Sequence, residues 1–526
     1  MKPEKAVKLA IENVLKEGLT DIFPRPFEID LLKNSKFQKK LIQNIVKSIR
    51  GGTLESLEVK PIEHVLLPKG EPFDFRRCAL IDPLDTIKFL SLVLIFADEI
   101  EKSRPKKSRK IVFSYRFKPS NGFLFDNKYN ISAFRKHVSE KIKQKKIRIL
   151  VKCDIANFYD RLNLHRLESI LSSLNLDKKL VRLLNELLLF WANRDSYSLP
   201  VGSNASRILA ETALIEVDNY LLSIGAKFCR FVDDFRFFAP NAHIAHYWLT
   251  QLIERLWLEG LTINQRKTKI EDVSEIVQDA AEESIDRDVK NIKTKNKKEP
   301  VKIIAGYGGV IPTKLREFSE SEIEKFKNKS PDEIYKKIRS KKLAEPEDIK
   351  EFIKATISRK RYDYFTKFPE LSELFPQFTP YLVDILVKYG EKMPKNKREL
   401  IRDAFASKLK DNQRLPEYLV IAIVRLLGND FFRDKDTLLQ VFRGLRRNAS
   451  AYVGRALLEA LENQVSRNEV LEIRQYFSHA DSWEKRQIIK IVDVHLSKDE
   501  KRPWLKNVRI QESKDLFLSE YIKPSK

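Results

Sequence analysis

Residues Phe228 to Phe238 constrain the fold more than any other stretch. Phe228, Cys229, Arg230, Phe231 and Val232 lead into two adjacent aspartates, Asp233 and Asp234, and Phe235, Arg236, Phe237 and Phe238 lead away. Large apolar and polar side chains alternate with the period of two expected of a strand between two environments. The stretch therefore reads as a β-hairpin with the aspartates at its tip. Neighbouring carboxylates repel each other in a confined site, and a cation is what most readily keeps them together. Hard oxygen ligands on a strand turn suit Mg²⁺ or Mn²⁺. A solvated Asp-Asp turn would carry the same residues.

Three further stretches frame the pair. Ile147 to Tyr159 begins as an apolar strand that ends in Asp154, followed by Ile155, Ala156, Asn157 and the aromatics Phe158 and Tyr159. Alone, Asp154 would serve as well as a helix N-cap as a ligand. Leu199 to Ser206 is a Pro-Gly turn opening a helix, with small residues where something approaches closely. Gly260 to Lys269 ends in the basic cluster Arg266, Lys267 and Lys269.

In this order the stretches resemble the palm of a reverse transcriptase. Asp154 to Asp160 resembles motif A, Leu199 to Ser206 motif B, Phe231 to Asp234 motif C and Gly260 to Thr268 motif D, with Phe231 where Tyr is usual. The resemblance covers roughly the first half of the chain. It implies that Asp154 and Asp233 hold two divalent ions, with Asp234 as supporting carboxylate and the Ile155 carbonyl on the nucleotide-side ion. Tyr159, with Phe158 as second choice, falls where a bulky ring excludes a ribose 2′-hydroxyl, so deoxynucleotides are the expected substrate. Gly202 would let the backbone approach the nascent base pair. Lys267, with Lys269 as alternative, would donate to or pair with pyrophosphate. Residues 59–84 read as strands around a turn, and Lys69 with Arg76 or Arg77 resembles the fingers pair that meets the triphosphate. The chemistry suits them: several negative charges call for a forked guanidinium. Solvated basic residues on a ribbon edge are the plain alternative.

At 526 residues the chain suits two or three domains. Its net charge of +25 calls for an anionic partner, of which nucleic acid is the first candidate. The three cysteines, Cys78, Cys153 and Cys229, form no CxxC pair, which argues for a reducing cytoplasm and against zinc. The longest apolar run, Phe89 to Ala97, falls far short of the ~20 residues of a bilayer span, and the N-terminus shows no signal peptide. No membrane association is expected.

The expected class is α+β: right-hand polymerase fingers and palm, followed by an all-helical C-terminal domain built as a HEAT-like α-solenoid. The expected divisions are 1–130 for N-terminal helices and fingers, 131–275 for the palm, 276–315 for a linker or reduced thumb, and 316–526 for the helical repeats. Ser284 to Lys302 is mostly charged and reads as the linker. Candidate helices beyond it include Leu371 to Tyr389, Lys397 to Lys410, Pro416 to Leu427, Tyr452 to Glu462 and Ser482 to Leu496.

Gly18 to Glu28, the turn from Gly202 to Glu211 and the long helical half resemble bacterial abortive-infection and defence-associated reverse transcriptases. That resemblance implies antiphage defence and a DNA product, made on an RNA template or non-coding RNA or without a copied template. It also implies priming by a protein hydroxyl in some members, and homo-oligomers such as trimers or hexamers. Tyr115, Tyr129, Tyr307, Tyr362, Tyr364, Tyr452 and Tyr521 are the candidate hydroxyls. The other readings are a retron or group II intron enzyme copying a dedicated RNA, and an inactive palm serving as a nucleic-acid scaffold.

Overall fold

The computed structural model describes residues 1–20, 25–69, 72–193, 195–275, 326–411, 415–445, 450–523. The expected linker 276–315, with Tyr307, lies outside the described residues. Eight strands occur among those described: β1 (Glu63–Pro68), β2 (Phe75–Leu80), β3 (Phe117–Ser120), β4 (Phe123–Phe125), β5 (Ile149–Asp154), β6 (Phe228–Phe231), β7 (Asp234–Ala239) and β8 (Lys269–Asp272). They form two two-stranded ribbons, β1-β2 and β3-β4, and one four-stranded sheet of order β6-β7-β5-β8.

The chain divides into two compact units. Among described residues the first holds 1–20, 25–61 and 83–275, and the second 62–82 and 326–523. The expected 1–130 segment is therefore shared between units: β1 and β2 group with the helical half.

In the first unit the sheet is antiparallel throughout. Its period of two sends Val151, Cys153, Phe228, Phe235 and Phe237 to one face, all buried. Each buried Phe contributes roughly 2–3 kcal/mol. Leu150, Lys152, Asp154, Asp234, Arg236 and Phe238 take the other face. There Phe134 of the helix Ile131–Ile142 packs with Leu150, Cys229 and Phe238. The helix Ala242–Leu258, capped by the Asn241 side chain, lies on β5 and β7. The helices Pro3–Glu17, Pro83–Ser103 and Ile131–Ile142 belong to the same unit.

The second unit is helical apart from β1 and β2. The helix Thr379–Tyr389 packs on Glu417–Leu427, that on Ala451–Leu461, and that on Ser482–His495. Lys395–Asp411, Lys435–Leu445 and Arg467–Gln475 alternate with these in the chain and pack against them. Close approach along the row needs small residues: a Cβ on Gly428 would sit 2.7 Å from the Ala460 Cβ. The helix expected as Leu371 to Tyr389 is in fact two, Phe368–Leu374 and Thr379–Tyr389, with a 3₁₀ turn at Pro376–Phe378 between them. Pro376 and Pro380 account for the break, since proline disfavours helix in the residue before it and donates no hydrogen bond.

Candidate active site

Four segments meet at the C-terminal end of β5. In the ladder between β5 and β7 Asp154 stands opposite Asp234. Asp233 sits with Val232 in the turn between β6 and β7, so Asp233 is the tip and Asp234 opens the returning strand. The Ile155 N–H donates to the Asp233 carbonyl at 3.1 Å, tying the turn to the segment after Asp154. On the other side Ile155 bridges Ile263, and the Ala156 N–H donates to Thr262 O at 2.8 Å. Asn264 donates its backbone N–H to Asp154 O at 2.7 Å and its side-chain amide to Asp154 Oδ2 at 3.4 Å. The exposed Lys267 brings Nζ to 3.4 Å from the same Oδ2.

The structure thus gathers Asp154, Ile155, Asp233, Asp234 and Lys267 within one site. Burial, and after it the charges of Asp154 and Asp234, push the Asp233 carboxyl up to about 7. Asp234 is also raised by burial, opposed by Arg236. Arg236 grips the Asp234 carboxylate with both terminal nitrogens, Nη2 to Oδ2 at 3.0 Å. Among the described residues no group of three metal-ligating side chains is gathered tightly enough to hold an ion as it stands. The donor chemistry nevertheless fits a hard divalent ion: the Asp154 charge opposes ionisation of Asp233, and the third carboxylate, Asp234, is held by an exchangeable cationic side chain.

The raised Asp233 carboxyl carries two signed consequences. The native state holds this proton from the ordinary carboxylate range up to about 7, where the unfolded chain has lost it. Stability of the metal-free protein therefore falls as pH rises through that window. A divalent ion held by this carboxyl would have to displace the proton, so its binding would weaken about tenfold per pH unit below 7. Thermal melts with and without Mg²⁺ should show strong stabilisation at pH 8 and little at pH 6, and Asp233→Asn should remove the Mg²⁺ effect and reduce the pH dependence of the metal-free melt, to which Glu484 and Asp384, raised by burial to about 7 and about 6, still contribute.

Motif A and motif B join through backbone: the Leu199 N–H donates to Tyr159 O at 2.9 Å. Phe158 and Tyr159 are both buried, 2% and 8% exposed, so Tyr159 is the more accessible ring. Gly202 has φ +123°, which only glycine adopts freely, and the buried Ser203 caps the helix Asn204–Ala213 by accepting from the Ser206 N–H at 3.1 Å.

Lys69, Arg76 and Arg77 lie on the ribbon of the second unit. Lys69 N–H donates to Asp74 O at 2.8 Å and extends the ladder by one pair. Alternation then places Lys69 and Arg76 on one face with the buried Val65 and Cys78, and turns Arg77 to the other with His64 and Leu66. Lys69 Nζ is 3.0 Å from Asp74 Oδ1, and Arg77 lies 3.2 Å from His64 Nδ1. Burial, and next the charge of Arg77, lower His64 to about 4. Of the candidate hydroxyls, Tyr129 donates to Lys107 O at 3.1 Å and Tyr521 to Asp493 at 3.3 Å, while Tyr364 donates to Asp332.

The sequence reading missed Arg236 and Asn264 as site residues. Both stand inside recognised stretches, where the alternation marked Arg236 only as a polar strand residue and Asn264 preceded the basic cluster with no role of its own. All three cysteines are buried and none forms a disulfide, and burial pushes the Cys153 thiol up to about 11.

Residues 100–303 match the family model described as reverse transcriptase (RNA-dependent DNA polymerase). The chain accordingly carries a reverse transcriptase domain. No curated protein matches the sequence. Among solved structures, telomerase from Candida tropicalis in complex with a TWJ fragment of telomeric RNA is 14% identical at a TM-score of 0.29 and covers 74% of this chain. This chain spans only 64% of that one. Telomerase from Candida albicans with a TWJ fragment of telomeric RNA is 12% identical at 0.28, covering 86% of this chain and 69% of its own. Apo telomerase from Candida tropicalis is 12% identical at 0.29, with 84% and 74% covered. Scores this low carry no argument about function. No described helix is long and apolar enough to cross a membrane.

Proposed function

We propose that this chain is a DNA polymerase of the reverse transcriptase kind, adding deoxynucleotides to a DNA product on an RNA template or without one. The supporting observation is the register that sets Asp154 against Asp234, with Asp233 in the adjoining turn. A pair of divalent ions, when bound, activates the attacking 3′-oxygen and neutralises the leaving pyrophosphate. Asp154 and Asp233 would hold them, with the Ile155 carbonyl beside them and Asp234 free to join once Arg236 lets go. Lys267 supplies positive charge next to Asp154, where a leaving pyrophosphate gathers negative charge. Gly202, lacking a side chain at φ +123°, would let the backbone approach the new base pair. The triphosphate role of Lys69 and Arg76 rests on the resemblance and on the face they share.

An antiphage role, a HEAT-like solenoid for the helical row, protein priming and a homo-oligomer are the finer parts of this reading. The Gly18 to Glu28 stretch and the length of the helical half support them. The test is incorporation of labelled dNTP with Mg²⁺ into acid-precipitable product, followed by sequencing of nucleic acid that co-purifies. Within that assay Tyr159→Ala should admit ribonucleotides, raising rNTP use relative to dNTP by about 10- to 100-fold, the worth of a few kcal/mol of lost steric exclusion. Unchanged discrimination would move the gate to Phe158 or elsewhere.

A further inference from the structure

Val232 has φ +57°. A β-branched residue is a genuine outlier there, because its branched side chain crowds the backbone. Such a conformation persists only where the surroundings over-determine it. Here they act on both polar groups of the one residue. The Val232 N–H donates to Ser114 Oγ at 2.8 Å, and the Val232 carbonyl accepts from Arg230 Nη1 at 3.0 Å.

Behind these two contacts lies a buried network of ion pairs. The Ser114 hydroxyl donates to Glu211 Oε1. Glu211 Oε2 lies 2.7 Å from Arg104 Nη2 and 2.9 Å from Arg230 Nη1. Asp218 takes Arg230 Nε and Nη2 at 2.7 Å each, a bidentate fork. Arg104 also donates to the carbonyls of Ser114 and Tyr115, both at 2.8 Å. Arg104, Ser114, Glu211, Asp218 and Arg230 are all 5% exposed or less. Arg104 and Arg230 meet Glu211 and Asp218, Arg104 also meets Glu101 at 3.1 Å, and the Ser114 hydroxyl both accepts and donates. Apolar packing would stabilise this volume more cheaply, whereas buried ion networks define one arrangement among several. The arrangement defined here is the peptide geometry immediately before Asp233.

Resting on the polymerase reading, we propose that Ser114 and Arg230 are positioning residues. They clamp Val232 in its left-handed conformation and so aim Asp233. Glu211 ties the clamp to the helix Asn204–Ala213, whose N-terminal cap adjoins Gly202. The turn that carries Asp233 and the turn proposed to meet the base pair are thereby referred to one rigid helix.

The test uses the full chain. Ser114→Ala removes the acceptor of the Val232 N–H and leaves the ion pairs intact. Expected results are a melting temperature close to wild type, kcat for dNTP incorporation lowered roughly 10- to 100-fold, the scale of a 1 Å misplacement, and KM for dNTP little changed. Mn²⁺ binding, followed by electron paramagnetic resonance without any nucleotide, should weaken by a similar ratio. Glycine adopts positive φ freely, so Ser114→Ala with Val232→Gly should recover part of the lost kcat and Mn²⁺ affinity. If Ser114→Ala does not fold, Arg230→Lys, which keeps the charge and loses the fork, carries the same readouts. Unchanged kcat and Mn²⁺ affinity overturn the clamp, as does a double variant no better than Ser114→Ala alone. A wild-type chain that incorporates no dNTP removes the polymerase reading instead, and the Mn²⁺ measurement still decides the clamp.

Discussion

Replacing Asp233 and Asp234 together by Ala should lower DNA synthesis by at least about 10³-fold while the chain stays folded. The loss corresponds to several kcal/mol of charge stabilisation in the transition state, at 1.36 kcal/mol per tenfold. The fold survives because the Asp233 charge opposes it. A carboxyl raised to about 7 is ionised at pH 8 at a cost to the native state. Arg236, left without Asp234, is partly exposed and can turn to solvent. Circular dichroism melts beside an incorporation assay would check both halves, and normal synthesis by the variant would remove the central assignment.

The second large effect belongs to the helical unit. Arg486 is 3% exposed and joins two carboxylates, Asp82 at 3.0 Å and Asp515 at 2.8 Å. Arg486→Ala leaves both acids buried without that cation and should destabilise the unit by about 3–5 kcal/mol. Deleting residues 326–526 takes this further. It strips β1 and β2 of the helix Glu417–Leu427 they pack on, including the Tyr418 ring 5.9 Å from Phe75. That fragment is expected to aggregate. Denaturant titration of the point variant and light scattering of the deletion are the measurements, and a soluble, fully active fragment would show the helical half to be dispensable.

Much of the site was legible because its signals are local. The alternation around Asp233 and Asp234 is a property of eleven consecutive residues, and it yielded the hairpin directly. The Pro-Gly turn before the helix Asn204–Ala213 is local in the same way. Arg230 was not legible. Its place in the alternation marked it as an ordinary polar strand residue, yet it is fully buried. What permits this are Asp218 and Glu211, twelve and nineteen positions earlier on two different helices, and no period links them. The membership of β1 and β2 was hidden for a related reason. Strand character follows from nearby residues, but the packing partner, Glu417–Leu427, is distant in the chain. The break at Pro376 could have been read directly, since the prolines stand in the predicted helix.

That distance has a consequence in time. Leu80 is synthesised about 350 residues before the helix Glu417–Leu427 is complete. At ribosomal rates of about 5–20 residues per second, the ribbon waits roughly 20–70 s for the surface it is meant to cover. Folding of this ribbon is therefore post-translational in character even though it lies near the start of the chain. Through that interval Val65, Cys78 and the unpaired edges of β1 and β2 are open to other nascent chains, so the yield of native protein depends on how well the cell shields a short early segment rather than on the stability of the finished fold.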